Sequence, residues 1–171
     1  LALAGVFPAP AATIHVATNG THETPFDDWG KAATNLHDAV ALAAGGDTVL
    51  VSNGVYRTTN TIVVSGGIQM LGVGGAAVTT LQPTGGVFHV LTVTNAGTLV
   101  AGFTIRGGGG AGNYTPRAML LRGGTVSNCV ITGNSGGSTI ELYGLMTHCE
   151  VTSNGSYALT GSYGAIRWSI A

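Results

Sequence analysis

The seven acidic residues of this 171-residue chain are the side chains best suited to acid–base or metal chemistry, and their distribution argues against both. The last aspartate is Asp47, and no Asp or Glu lies between it and Glu141. Calcium needs a cluster of oxygen ligands, and glycoside hydrolysis needs a pair of carboxyl groups. We therefore predict no catalytic residue, no metal site and no cofactor. Glu141 and Glu150 are expected to be solvated, with an acid–base pair as the alternative.

Two further groups of polar residues could hold a metal. Asp27 and Asp28 precede Trp29, and we expect them to shape a turn, with cation binding as the alternative. Isolated histidines are weak evidence for a metal site. The five histidines show no close pair at metal-ligand spacing: His15, His22, His37, His89 and His148.

Basic and aromatic residues gather around one glycine-rich stretch. Arg106, Arg117 and Arg122 lie near Tyr114 in the sequence. Such residues can bind a sugar by stacking and by charge, and binding residues are often carried on loops. They form our candidate carbohydrate-binding site, and an ordinary exposed loop is the alternative.

The composition limits the possible partners. Charged residues make up 8 % of the chain, 44 % is hydrophobic and 29 residues are glycine. A net charge of -1 offers no field for phosphate, so nucleic acid is excluded as a partner. No apolar run reaches the length of about 20 residues that a membrane span needs. Short β-branched bursts separated by Gly and Asn indicate strands and turns instead.

A twenty-residue repeat fills the C-terminal part of the chain. Gly124, Gly144 and Gly164 mark its steps, and Asn134 and Asn154 keep the same spacing. Such a period is typical of a solenoid, in which parallel strands stack about 4.8 Å apart and like residues form ladders. The expected ladders are Val126 with Met146 and Ile166, Cys129 with Cys149, and Ile131 with Val151.

The earlier part of the chain contains looser copies of the repeat. Phe103 and Ile105 stand where Cys129 and Ile131 stand later, and residues 107–117 read as a loop inserted into that coil. On this pattern Glu141 and Glu150 fall at different places in a coil. We predict an all-β right-handed parallel β-helix, with an antiparallel sandwich as the alternative.

A short helix is predicted over residues 35–44, with apolar residues on one stripe. Asn35 or Thr34 can cap its start, Asp38 suits its first turn, and Gly45 with Gly46 can end it. We expect this helix to cover the open end of the solenoid, where the first coil exposes unpaired strand edges.

The two cysteines occupy the same repeat position. Disulfide geometry allows the expected Cα separation of Cys129 and Cys149, but ladder side chains run parallel, and buried cysteine also behaves as a small hydrophobe. We favour a reduced ladder, and a disulfide is the alternative.

The run from Ala33 to Gly75, ATNLHDAVALAAGGDTVLVSNGVYRTTNTIVVSGGIQMLGVGG, resembles the N-terminal part of secreted right-handed β-helix proteins of the pectate-lyase-like group. The preceding IHVATNGTHETPFDDW and the later NCVITGN coils extend the resemblance to nearly the whole chain after Ala12. The resemblance implies the fold but says little about activity. Members that cleave acidic polysaccharides need several acidic residues along one face, and this chain departs from that pattern.

The chain divides into an apolar segment, residues 1–12, and one β-helix domain, residues 13–171. The apolar segment resembles the end of a secretory signal, which predicts a secreted or cell-surface protein. Bacterial origin is what the resemblance of residues 14–29 to the lead-in segment of bacterial members implies. The last coil stops without a cap. We therefore predict a non-catalytic structural solenoid that binds copies of itself head to tail, as in a filament. The assembly residues would be Leu1, Leu3, Val6, Phe7, Ile166, Trp168 and Ile170. The alternative is the N-terminal portion of a polysaccharide-active enzyme, or a carbohydrate-binding module.

Overall fold

The computed structural model describes residues 10–85, 89–109, 118–135, 139–155, 159–160 and 165–167. These residues form short strands and a single short helix. The strands are β1 (Thr13–Val16), β2 (Thr48–Val51), β3 (Gly54–Thr58), β4 (Ile62–Val64), β5 (Gln69–Gly72), β6 (Thr79–Pro83), β7 (Leu91–Val93), β8 (Leu99–Ala101), β9 (Thr104–Ile105), β10 (Met119–Leu121), β11 (Thr125–Ser127), β12 (Val130–Thr132), β13 (Ile140–Leu142), β14 (Leu145–Thr147), β15 (Glu150–Thr152), β16 (Leu159–Thr160) and β17 (Ala165–Arg167), and the helix is α1 (Leu36–Leu42).

The strands form three sheets that the backbone visits in turn. Sheet A has the order β1-β2-β5-β8-β11-β14-β17, sheet B the order β3-β6-β9-β12-β15, and sheet C the order β4-β7-β10-β13-β16. Every strand pairing in the described part of the chain is parallel. The predicted right-handed parallel β-helix is therefore confirmed, and the antiparallel sandwich is excluded.

The register follows the repeat in the later coils and departs from it in the earlier ones. Ile131 lies beside Val151 and Ile105, as predicted. The step of twenty holds only where the corners are short. Thr125 pairs with Leu145, and Leu145 pairs with Ala165, each twenty positions on. The earlier steps along sheet A are longer. They are 21 positions from Thr48 to Gln69, 30 from Gln69 to Leu99 and 26 from Leu99 to Thr125.

The core consists of inward-facing ladders, because alternate residues of each strand point into the coil. Each fully buried aliphatic side chain contributes about 1.5–3 kcal/mol relative to an exposed one. The ladders are Ile14, Val49, Met70, Val100, Val126 and Met146 in sheet A; Tyr56, Leu81, Ile105 and Ile131 in sheet B; and Ile62, Leu91, Met119 and Ile140 in sheet C.

The corners between sheets need special backbone conformations. Gly124 begins the repeat with a φ of +77°, and a Cβ there would lie 2.6 Å from the carbonyl oxygen of Thr98. Only glycine fits such a place. At the corner between sheets B and C, Asn134 and Asn154 stack and hydrogen-bond to each other.

Helix α1 starts as predicted and ends sooner than predicted. Asn35 caps it, because its side-chain oxygen accepts a hydrogen bond from the backbone N–H of Asp38 at 3.0 Å. The predicted end at Gly45 and Gly46 is wrong. Ala43 already leaves the helical region with a ψ of +136°, and Gly46, at a φ of +93°, forms the turn into β2 instead.

The lead-in loop, residues 17–35, covers the outer edge of β1. His15 donates its N–H to the carbonyl of Phe26 at 2.8 Å and accepts from Ala33 N–H at 2.9 Å. Ala17 N–H donates back to Ala33 at 2.9 Å. The Phe26 side chain is 2 % exposed and belongs to the core. Loop and helix together therefore close the front of the coil, although β3 and β4 have no strand on their outer side.

No helix within the described ranges combines the length and apolar character that crossing a membrane requires.

Candidate functional site

A basic row runs across the outer face of sheet B. Tyr56 and Thr58 are buried in β3, so Arg57 between them points outward and is exposed. Arg57 lies in register with Gln82 of the neighbouring strand β6. The Gln82 side-chain oxygen is covered and has no hydrogen-bond partner among the described residues.

The row continues onto the next coil. Leu81 is in register with Ile105, and Arg106 directly after it donates its N–H to the carbonyl of Leu81 at 3.1 Å. Since Ile105 is buried and Arg106 exposed, Arg106 stands on the outer face beside Gln82. We call Arg57, Gln82 and Arg106 the basic row. Its two guanidinium-bearing residues are two strand spacings apart, about 10 Å.

The charge around the basic row is favourable for an anion. Glu150 is the one acidic residue in the strands of sheet B, and it lies on β15, two coils beyond Arg106. Thr132 and Thr152, which pair with each other, continue the face with hydroxyl groups. Guanidinium groups match carboxylates in a two-bond geometry.

A cavity of about 230 Å³ adjoins the basic row at Arg57. It lies on the side of β3 that has no neighbouring strand. The facing wall comes from the lead-in loop and the start of α1. The lining residues are Thr18, Thr34, Asn35, Leu36, His37, Val55, Tyr56, Arg57 and Thr58.

His37 fixes one wall of this cavity. Its Nε2 lies 2.7 Å from Thr58 Oγ1. The Thr58 hydroxyl donates to the carbonyl of Asn60, so the imidazole Nε2 must be the donor to Thr58. The Tyr56 hydroxyl hydrogen-bonds with Ser52 and Val16, and burial raises the pKa of Tyr56. The hydrogen-bonded cavity wall thus contrasts with the cationic Arg57 at its mouth.

A second, more open cleft of about 440 Å³ lies between α1 and β4. His37 borders both spaces, which places the helix over the free edges of sheets B and C. The lining residues are His37, Val40, Ala41, Ala43, Thr61, Ile62, Val63 and Ser65.

His22 joins the lead-in loop to α1 beside the first cavity. Its Nε2 lies 3.1 Å from a carboxylate oxygen of Asp38, and its Nδ1 accepts the backbone N–H of Thr34 at 3.0 Å. The Thr34 hydroxyl is 3.1 Å from the same nitrogen. Since Nδ1 accepts from Thr34, Nε2 is the nitrogen that donates to Asp38, and the ring holds loop and helix together.

The predicted carbohydrate-binding residues are only partly placed. Arg106 directly follows β9 on the outer face of sheet B, whereas Arg122 is exposed at the corner between sheets C and A. The two arginines therefore do not share a face. Tyr114 and Arg117 lie outside the described residues, as do most of residues 107–117.

The carboxylates are separated as the sequence predicts. Glu141 stands on β13 of sheet C and accepts the Tyr143 hydroxyl at 2.7 Å, whereas Glu150 stands on β15 of sheet B. Asp27 and Asp28 both contact the Lys31 ammonium, at 3.1 and 3.6 Å.

Asp28 also accepts the backbone N–H of Lys31 at 2.9 Å, which lowers the pKa of Asp28. These bonds match the expected turn in the lead-in loop. Among the described residues, no three His, Cys, Asp or Glu side chains come together as metal ligands.

The remaining predicted residues belong to the coil and to the termini. Val126 pairs with Met146, and Met146 with Ile166, whose backbone alone is described. Cys129 and Cys149 are buried free thiols. The other predicted assembly residues lie outside the described ranges: Leu1, Leu3, Val6, Phe7, Trp168 and Ile170.

Sequence reasoning missed Arg57 and Gln82. A signal existed, because Tyr56, Leu81 and Ile105 each precede a polar residue with a long side chain. To align those three residues, one must know the lengths of the coils between them. These lengths are unequal, so the twenty-residue repeat does not predict them.

Comparison with solved structures agrees with this architecture. The chain is similar to a variant of pectin methylesterase in complex with a hexasaccharide, with a TM-score of 0.54 and 13 % identity. It is also similar to a partly deglycosylated pectin methylesterase from Aspergillus niger, with a TM-score of 0.53 and 16 % identity. In both cases the match covers 95 % of this chain and 68 % of the other. No family model and no curated protein sequence matches the chain. At these identities the likeness establishes the fold alone: the chain is a right-handed parallel β-helix of the kind seen in pectin methylesterases.

Proposed function

We propose that this chain binds an anionic polysaccharide along the outer face of sheet B, from the 230 Å³ cavity across the basic row. The observation that carries the proposal is the placement of Arg57 and Arg106 in one outward row on either side of Gln82. An extended polymer with repeated carboxylates matches cations that recur along a rigid, regular surface. The similarity to pectin methylesterases, one of them bound to a hexasaccharide, supports a saccharide ligand.

Each element of the row has a role in this proposal. Arg57 and Arg106 bind carboxylates as charged pairs, and a hydrogen bond to a charged group contributes about 1.5–3 kcal/mol. Gln82 lies between them, and its amide nitrogen is the group that can bind a sugar hydroxyl, because its oxygen is covered. The cavity receives one sugar beside Tyr56 and His37, where the chain of the ligand meets the closed front of the coil.

The test compares wild type with Arg57→Gln and Arg106→Gln in binding to polygalacturonate, followed by affinity electrophoresis and calorimetry. Each substitution should weaken binding about tenfold or more, since 1.4 kcal/mol corresponds to tenfold. Arg122→Gln is the matched control, because Arg122 is exposed at a different corner.

Highly methyl-esterified pectin and dextran should bind more weakly than polygalacturonate. Equal losses in Arg122→Gln, or no binding by the wild type, would exclude the basic row as a glycan site. Release of methanol from the esterified polymer, measured in the same samples, would add a catalytic activity to the binding function.

Head-to-tail self-association is the other function predicted from the sequence. Hydrogen bonds from the lead-in loop already occupy the outer edge of β1, so we rank polysaccharide binding first. Self-association stays a prediction, and electron microscopy of the purified protein tests it: filaments support it, and monodisperse particles contradict it.

An extracellular location is likewise a prediction from residues 1–12. Cell fractionation of the source organism, with detection of the chain in the medium or at the surface, is the direct measurement.

A further inference from the structure

Strand β4 has an unpaired edge at the front of sheet C. Ile62 N–H donates to the carbonyl of Val90 at 3.0 Å, and the carbonyl of Val64 accepts from Thr94 at 3.2 Å. These bonds direct Ile62 and Val64 towards the neighbouring strand β7. Successive residues of a strand direct their N–H and C=O groups to opposite sides. The N–H and C=O of Val63 therefore point away from β7, to the edge where sheet C ends.

The cleft of about 440 Å³ between α1 and β4 lies along this edge. Val63 lines one side of it, and the opposite wall is apolar, because it consists of Val40, Ala41 and Ala43 of α1. Within the described ranges, no strand and no hydrogen-bonding group pairs with the outer side of Val63. A free strand edge beside an apolar wall is the geometry that accepts an added extended segment.

The chain approaches β1 beside one end of this cleft. Ala12 N–H donates to one carboxylate oxygen of Asp47 at 2.7 Å, and Ala44 N–H donates to the other at 2.8 Å. The carbonyl of Ala12 accepts from Thr48 N–H at 2.9 Å, so both backbone groups of Ala12 are held. Ala44 directly follows Ala43, which lines the cleft. The tethering point of the preceding segment is therefore at the end of the cleft.

Residues 1–9, which lie outside the described ranges, have the composition that the cleft requires. They read LALAGVFPA and contain no charged side chain. Pro8 and Pro10 restrict the residues before them to extended conformations. Nine extended residues reach about 30 Å. The α1 wall from Val40 to Ala43 rises only about 5 Å along the helix axis. The segment is thus long enough to follow the whole cleft.

We propose that residues 1–9 dock in the α1–β4 cleft of their own chain as an added parallel strand of sheet C. The backbone of the segment bonds to the N–H and C=O of Val63, while Val6 and Phe7 pack against the apolar wall. The direction fits, because β4 and the segment both lead into sheet A. The covalent link at Ala12 favours this occupant over a free peptide, since short tethers give effective concentrations of the order of millimolar.

Amide hydrogen exchange of the full-length protein, followed residue by residue by NMR, tests the docking. The amide of Val63 should exchange slowly, because the segment accepts its hydrogen bond. Val55 is the internal reference. Gly54 N–H donates to Val78 at 2.9 Å, so the Val55 amide faces the free edge of sheet B, outside the cleft. It should exchange at least about tenfold faster than that of Val63.

Two substitutions should release the segment without entering the core. Phe7→Asp places a charge in the segment, and Ala41→Asp places one in the cleft wall at an exposed helix position. Burying either carboxylate is costly, so each variant should exchange the Val63 amide at least about tenfold faster than wild type. Leu42→Asp is the matched control. Leu42 is the next residue of α1, is exposed and does not line the cleft, so the Val63 amide should stay protected.

Limited digestion with thermolysin, which cuts before apolar residues, gives a second measurement. Cleavage within residues 1–9 should be slow in wild type and in Leu42→Asp, and fast in Ala41→Asp. Equal exchange of Val63 and Val55 in wild type overturns the proposal, as does a Val63 amide that stays protected in both Phe7→Asp and Ala41→Asp. Protection that appears only as dimers form at high protein concentration places a second copy in the cleft, and this also overturns it.

Discussion

Asn134 Nδ2 donates a hydrogen bond to Asn154 Oδ1 at 2.9 Å, so one side chain links two successive coils at the corner between sheets B and C. The same Nδ2 group also donates to the carbonyl of Ile105 at 3.0 Å, and Asn134 Oδ1 accepts the N–H of Gly108 at 2.9 Å. The Asn134 side chain therefore satisfies backbone groups of the preceding coil and binds the Asn154 side chain of the following one.

Asn134→Ala should destabilise the fold by about 2–4 kcal/mol, because an unsatisfied buried polar group costs about 1–3 kcal/mol and Gly108 N–H and Ile105 C=O both lose their partner. The measurement is urea unfolding followed by circular dichroism. Thr152→Ala, on the exposed outer face, is the control and should change stability by no more than about 0.5 kcal/mol. Equal losses in both variants would contradict a linking role for Asn134.

Ile131→Ala should cost roughly 2–5 kcal/mol, since it opens a cavity in the sheet B ladder. Val130→Ala, one residue earlier on the opposite face of β12, should cost less than half as much. Chemical denaturation of the two variants measures the difference. The assigned inward register is wrong if Val130→Ala is the more destabilised protein.

Gly124→Ala should be far more damaging than Gly133→Ser. Both glycines have a positive φ, but a Cβ at Gly124 meets carbonyl oxygens, whereas nothing lies within 4 Å of one at Gly133. Ser153 takes the equivalent place in the next coil with a φ of +52°. We expect roughly 1–2 kcal/mol for Gly133→Ser, the cost of a left-handed residue, and at least twice that for Gly124→Ala. Thermal unfolding distinguishes them, and similar midpoints would refute the clash.

Asp47 should make stability depend on pH in acid. Its carboxylate accepts N–H groups of Ala44 and Ala12, and these bonds lower its pKa. A lowered folded-state pKa stabilises the protein fully above the unfolded value near 4, and this contribution is lost as the pH falls towards the folded value.

Unfolding of wild type and Asp47→Asn at pH 6 and pH 3 measures this contribution. The free energy of unfolding of wild type should exceed that of the variant by less at pH 3 than at pH 6. The stability of the variant should still fall in acid, because the pKa of Asp28 is also lowered. If the difference in unfolding free energy between wild type and Asp47→Asn is the same at both pH values, another group causes the pH dependence.

The sequence predicts most strongly where coils have equal length. Ile131 could be placed beside Val151 because both stand twenty residues apart in short, regular turns. Arg57 could not be placed beside Gln82, because the coils there are longer and only the folded corners set their register. The end of α1 differs from the prediction for another reason: Ala43 already leaves the helical region, and the backbone N–H of Ala44 donates to the Asp47 carboxylate instead of to a helix carbonyl.

The loop bonds that occupy the outer side of β1 also bear on aggregation. An unsatisfied strand invites pairing with a foreign strand, and natural sheets guard against it. The lead-in loop protects β1 in this way. Phe26 anchors the loop, because its side chain is buried in the core and its carbonyl accepts the N–H of His15. At this end, pairing of sheet A with a strand of another molecule would first have to displace a packed loop, which disfavours aggregation through β1.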